Sequence, residues 1–212
     1  GMYGVLIGRP FAFREGFFIW PWTFFLFVLS AVGSGPVFTV LVATFMEKLT
    51  GKKLVDFKTK ALMGKIAGTM LTVYMFFKIL DTWAWATGYL PSVGLTFDEM
   101  FYGMVYGKWL LYTEIVLCGV VPAIMLITPS IRNRPALLYT AAILDCIGVS
   151  LNRYIFTVQT IAFPAMPFDQ WQVYNPNWVE YASSIMIVAY GFLVLSLVYR
   201  YLPLFPQERE LN

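Results

Sequence analysis

The sequence predicts an all-α, polytopic integral membrane bundle of about five transmembrane helices. Of its 212 residues, 59% are apolar, against roughly 45–50% in soluble domains. The mean hydropathy is +0.68. Five apolar stretches are long enough to cross a hydrocarbon layer that needs about 20 residues of helix.

The first stretch, Phe17 to Met46, has Pro21 at its mouth and Pro36 inside it, beside Ser30, Gly33, Ser34 and Gly35. A proline among small residues predicts a kink and close helix contact. The second, Leu62 to Tyr89, opens on Gly64 and Gly68, a GxxxG pair placed at the helix end rather than in its apolar middle. Three more follow: Trp109 to Thr128, Pro135 to Phe163, and Trp178 to Leu202. Together they form a single membrane domain.

The loops separate by charge. Lys48, Lys52, Lys53, Lys58, Lys60, Lys65, Arg132, Arg134, Arg200 and Arg209 fall on one side, and Arg9, Arg14 and Lys108 on the other, with Asp98, Glu99 and Asp169. The positive-inside rule then places the N-terminus outside and the C-terminus in the cytoplasm. Basic residues spread along loops, for a net charge of +3, read as topology signals and not as a nucleic-acid surface. Gly1 to Glu15 lacks the pattern of a removed signal peptide. Two outer segments carry capping signatures: Thr96 with Glu99, predicting a short interfacial helix through Tyr106, and Asn177 with Glu180 at the start of the fifth helix. The aromatics of the last outer loop, Phe168, Trp171, Tyr174 and Trp178, read as headgroup anchors or as the lining of a ligand entrance.

Six ionisable residues, Lys78, Asp81, Glu114, Asp145, Arg153 and Glu180, lie inside or at the rims of the apolar stretches. Each costs at least about 2.5 kcal/mol at the centre of a bilayer and so calls for a partner or a function. Asp145, Asn152 and Gln159 recur every seven residues and share one helix face, flanked by Arg153. Tyr74, Lys78, Asp81 and Trp85 share another. Lys78 and Asp81 are close enough to neutralise one another. Glu114 needs a cation from another helix, for which Arg153 is the candidate. Glu180 reads as a helix cap, and Asp145 either as a neutral buried acid or as a proton relay. The chain has no histidine, the commonest haem and metal ligand. Cys118 and Cys146 stand apart with no metal-binding spacing and read as packed thiols. The expected site is a polar chamber that handles protons without a haem or metal in this chain.

Leu151-Asn152-Arg153-Tyr154, Asn175-Pro176-Asn177-Trp178-Val179-Glu180 and Arg200-Tyr201-Leu202-Pro203-Leu204-Phe205 resemble the C-terminal half of NrfD/HybB-type membrane subunits, the polysulfide reductase family. Gly107-Lys108-Trp109 to Glu114 is similar to the same family's preceding helix, although many relatives carry His where Lys108 stands. The resemblance implies a haem-free, quinone-interacting subunit of a respiratory complex in a prokaryotic cytoplasmic membrane. Its implied partners are a ferredoxin-like iron–sulfur subunit on the outer face and, beyond that, a multihaem cytochrome or a molybdopterin or hydrogenase catalytic subunit. The exchangeable cofactor is menaquinone or ubiquinone. Relatives have two helix bundles, of which this chain resembles the second. Glu114, Arg153, Asp81 and Asp145 are the expected proton-transfer or quinone-site residues, with Lys78, Asn152, Tyr154 and Trp171 near the quinone. The alternative is a structural anchor for peripheral redox subunits, its buried ions serving packing alone. A transporter built on Pro36 and Pro122 ranks lower, because no inverted repeat is visible.

Overall fold

The computed structural model of the chain describes residues 21–92, 94–162, 170 and 173–201. Five of its helical segments are long and apolar enough to cross a membrane: Phe25–Thr50, Phe57–Ser92, Trp109–Ile127, Pro135–Val158 and Trp178–Val198. The chain is a multi-pass membrane protein.

Helix α1, Pro21–Thr50, is continuous and carries Pro36 within it. Helix α2, Phe57–Ala84, begins five residues before the apolar run because Asp56 takes the extended backbone of an N-cap position, which draws Lys58 and Lys60 into the helix. It runs on through a π-helical turn, Trp85–Tyr89, and Leu90–Ser92. The third span starts α-helical at Trp109–Tyr112, is π-helical over Thr113–Val120, and ends as helix α3, Val121–Ile127, with Pro122 in its first turn. Proline lacks the N–H that an interior helical position must donate, so it fits where the ladder is reset. Helix α4 is Pro135–Ala162 and helix α5 is Trp178–Tyr201.

Helices α1 to α4 share a core of Leu26, Val37, Val40, Leu71, Leu126 and Leu138. The small residues set how closely they approach. A Cβ on Gly68 would lie 2.7 Å from Leu126 Cβ and 2.8 Å from its carbonyl carbon, and one on Gly64 would lie 2.7 Å from Leu138 Cδ1. The GxxxG pair, peripheral in sequence, is therefore the contact face between α2 and its neighbours. At the same end Arg132 Nη1 donates to the carbonyls of Leu126 (2.7 Å) and Ile127 (3.1 Å), satisfying helix-end acceptors that would otherwise be orphaned.

A second core closes the opposite end around Trp85, Leu90, Met100, Leu111, Ile155 and Val158. The Thr96–Glu99 box is present, with Thr96 N donating to Glu99 Oε2 at 2.6 Å and Glu99 N to Thr96 Oγ1 at 3.4 Å. It starts a single 3-10 turn, Glu99–Phe101, followed by turns, instead of a helix through Tyr106. Tyr174 N donates to Gly103 O at 3.1 Å, joining the two outer loops. Helix α5 stands off from the rest, with none of its spanning window buried.

Candidate functional site

The ionisable residues expected in the spans converge. Lys78 on α2 forms an ion pair with Glu114 on the third span, with side chains only 3% and 4% exposed. Asn152 on α4 donates its amide to Glu114 Oε1 and to Tyr74 Oη, each at 3.4 Å. The Lys78 ammonium lies 5.7 Å from the centre of the Tyr74 ring. Three helices thus contribute to one cluster, and each of its members has a polar or aromatic partner, as burial demands.

The π-helical stretch helps place Glu114. It inserts extra backbone per turn in the segment that holds the carboxylate, a local irregularity frequent where a side chain must be re-aimed. Gly119 and Gly148 let the segments close up, since a Cβ on Gly148 would lie 2.7 Å from Cys118 O and one on Gly119 2.5 Å from Met75 Sδ.

Two small cavities flank the cluster. One is lined by Ser30, Tyr74, Glu114, Cys118, Asp145 and Asn152, the other by Phe27, Tyr74, Lys78, Asp81, Asn152 and Phe156, each of about 10 Å³. That is room for about one water, far below the roughly 300–1,000 Å³ of pockets that take organic ligands. Glu114 Oε2 and Asp145 Oδ2 are buried with no hydrogen-bond partner among the described residues, and both residues line the first cavity. A water there would meet two acceptors. A quinone ring does not fit between these side chains.

Asp81, 2% exposed, lines the second cavity. Asp145 and Asn152 are both buried on the inward face of α4; the side chain of Gln159 lies outside the described residues. Glu114 does have a cation from another helix, but that cation is Lys78 and not Arg153. One residue past Asn152 turns a side chain about 100° around the helix, which carries Arg153 off the buried face. Its guanidinium is only half-buried and stacks over the Phe27 ring at 4.0 Å. Tyr154 is half-buried and packs against the second core. Glu180 is a cap: its carboxylate accepts from Asn177 N at 2.8 Å and from the Tyr174 hydroxyl, which pushes that phenol up to about 12. Lys108 is held by Asp98 at 2.8 Å, which raises its pKa above the usual lysine value. Trp171, Phe168, Asp169, Arg9, Arg14 and Arg209 lie outside the described residues, as does the segment 1–15.

Sequence reading missed a second buried pair. Lys60, placed there among the loop cations, is 4% exposed and pairs with Glu47, whose Oε1 also accepts from Leu54 N (3.1 Å) and Val55 N (2.9 Å). The one signal for it was Glu47 itself, an isolated acid beside a basic loop.

The chain is 68% identical over 213 residues to a protein of Nitratidesulfovibrio vulgaris (strain Hildenborough) named menaquinone reductase, integral membrane subunit, an alignment covering 100% of this chain and 51% of that relative. The chain belongs with the NrfD/HybB-type membrane subunits. A more distant relative of this NrfD/HybB-type chain, 26% identical over 204 residues, is a putative dimethyl sulfoxide reductase membrane protein of Halobacterium salinarum, with 84% of this chain and 45% of the relative aligned. The chain spans about half the length of the curated relatives it matches. No protein-family model and no solved structure matches it. Among the described residues of this NrfD/HybB-type subunit, no three His, Cys, Asp or Glu side chains group so as to hold a metal ion.

Proposed function

We propose that this chain is a haem-free membrane subunit of a respiratory quinone oxidoreductase complex of a prokaryotic cytoplasmic membrane, and that its buried cluster is a proton relay. The observation that carries this reading is the pair of partnerless carboxylate oxygens, Glu114 Oε2 and Asp145 Oδ2, lining one water-sized cavity. Two acids around a water are a route along which a proton can hop. The Lys78 ammonium balances the charge of Glu114 and keeps it from being trapped as a neutral acid. Tyr74 and Asn152 line both cavities, so the path runs from Asp145 past Glu114 and Lys78 toward Asp81. Arg153, beside it, adds positive charge at the flank.

A quinone, when bound, takes up or releases protons together with electrons. Because the cavities are water-sized, the quinone, menaquinone on the strength of the relative's name or ubiquinone otherwise, binds in a part of the complex beyond these side chains. Lys78, Asn152, Tyr154 and Trp171 then act on the proton path toward it and not as ring contacts. The basic end faces the cytoplasm, and an iron–sulfur subunit of ferredoxin type sits at the other face, with a multihaem cytochrome, molybdopterin or hydrogenase subunit beyond it. The second-bundle reading agrees with an alignment that spans half of each relative.

Asp145→Asn in the assembled complex tests the relay. Quinol-linked turnover is expected to fall on the order of 10²-fold, the scale of a lost proton-transfer group, while thermal stability changes little. If turnover is retained and only assembly or abundance suffers, the chain is the structural anchor instead.

A further inference from the structure

Helix α5 is separated from α1 and α4 by a cleft of about 850 Å³, within the range of organic-ligand sites. Its walls are apolar: Phe38, Phe45, Ile143, Val188, Phe192 and Leu195 line it. The Phe45 and Phe192 rings touch across it with centroids 5.3 Å apart. Thr39 and Thr44 also line it, but their hydroxyls already donate to the backbone of their own helix, to Gly35 O at 3.0 Å and Val40 O at 2.8 Å. Among the lining residues that leaves the Lys48 ammonium and the Tyr139 hydroxyl as the polar groups on offer.

Lys48 is exposed in the last turn of α1 and forms no ion pair among the described residues. Its neighbour Glu47 cannot serve it, being held by Lys60 and two backbone N–H groups. The cleft therefore has a greasy body and a single unsatisfied cation at its mouth, on the end of the bundle that carries the basic loops. Within a bilayer such a space is filled, because empty walls forfeit dispersion contacts. A basic residue beside an apolar slot between helices is the chemistry that retains an anionic lipid.

The geometry points to a structural anionic phospholipid seated between α1, α4 and α5, its acyl chain along Phe38, Phe45 and Phe192 and its phosphate on Lys48. This site is separate from the proton-relay cluster and does not depend on it.

The test uses the full complex purified into nanodiscs with trace spin-labelled phosphatidylglycerol or phosphatidylcholine. The wild type is expected to immobilise phosphatidylglycerol about five-fold more than phosphatidylcholine, the factor one juxtamembrane cation supplies. Lys48→Glu abolishes that preference, and Lys58→Glu, an exposed charge that does not line the cleft, leaves it intact. Gly191→Leu fills the cleft, where a Cβ meets nothing within 4 Å, and lowers immobilisation of both lipids with Lys48 still present. Equal retention of the two lipids by the wild type overturns the proposal. So does equal loss in the Lys48 and Lys58 variants, or recovery of a bound quinone or a cross-linked protein segment from cysteines placed at Ile143 and Val188.

Discussion

Lys78 and Glu114, thirty-six residues apart in the chain, form an ion pair with both side chains almost wholly buried. Removing one partner leaves a charge in a low-dielectric interior, a cost of about 3–5 kcal/mol, whereas removing both is often close to neutral. Lys78→Met and Glu114→Gln singly should each destabilise the purified protein on that scale. The double variant should recover most of the loss. Thermal unfolding in detergent supplies the cycle, and additive losses in the double variant would refute the pairing.

Close approach at Gly68 gives a steric prediction. Gly68→Ala places a methyl 2.7 Å from Leu126 Cβ, overpacking that typically costs about 1–3 kcal/mol. Gly35→Ala, where a Cβ meets nothing within 4 Å, should be neutral or stabilise by up to about 1 kcal/mol through helix propensity. Midpoint shifts of opposite or clearly unequal size are the expected readout, and equal shifts would show that the helices do not meet at Gly68.

The Tyr174–Glu180 contact makes the outer loop pH-sensitive in alkali. Its phenol is pushed up to about 12 by donating to the Glu180 carboxylate, above the ordinary value of about 10. A raised value means the fold prefers the protonated form. The contribution is fully present below pH ~10 and is lost as pH rises through about 12. The difference in tyrosinate absorbance between wild type and Tyr174→Phe should titrate near the upper value. Ionisation near pH 10 would mean that the contact does not form.

Orientation is open to a labelling experiment. Tyr106→Cys, exposed in the outer loop, should react with a membrane-impermeant maleimide on intact cells. Lys58→Cys should react only after permeabilisation, relative to the parent with Cys118 and Cys146. The reverse pattern would invert the topology expected from the lysine distribution.

Several features of the site were readable in order along the chain. The stripe of Asp145 and Asn152 is a helical repeat, and the structure buries both on one face. The capping boxes at Thr96 and Asn177 are local too, and both form. Pairing was not readable. Glu114 could be assigned a cation from another helix, but spacing alone does not separate Lys78 from Arg153. The choice turned on the rotation of α4, which buries Asn152 and turns Arg153 toward Phe27. The π-helical stretch that carries Glu114 had no sequence signature beyond Pro122.

The sequence by itself determined that the chain crosses a membrane about five times and which ionisable residues enter the spans, because hydropathy and helical period are properties of neighbouring residues. Only the tertiary structure decided that Lys78 meets Glu114, that Lys60 is buried against Glu47 and not free in a loop, and that the polar cavities admit a water and no ring. Those outcomes depend on how closely glycine-faced helices pack and how each is turned about its axis, and packing joins residues that no local pattern connects.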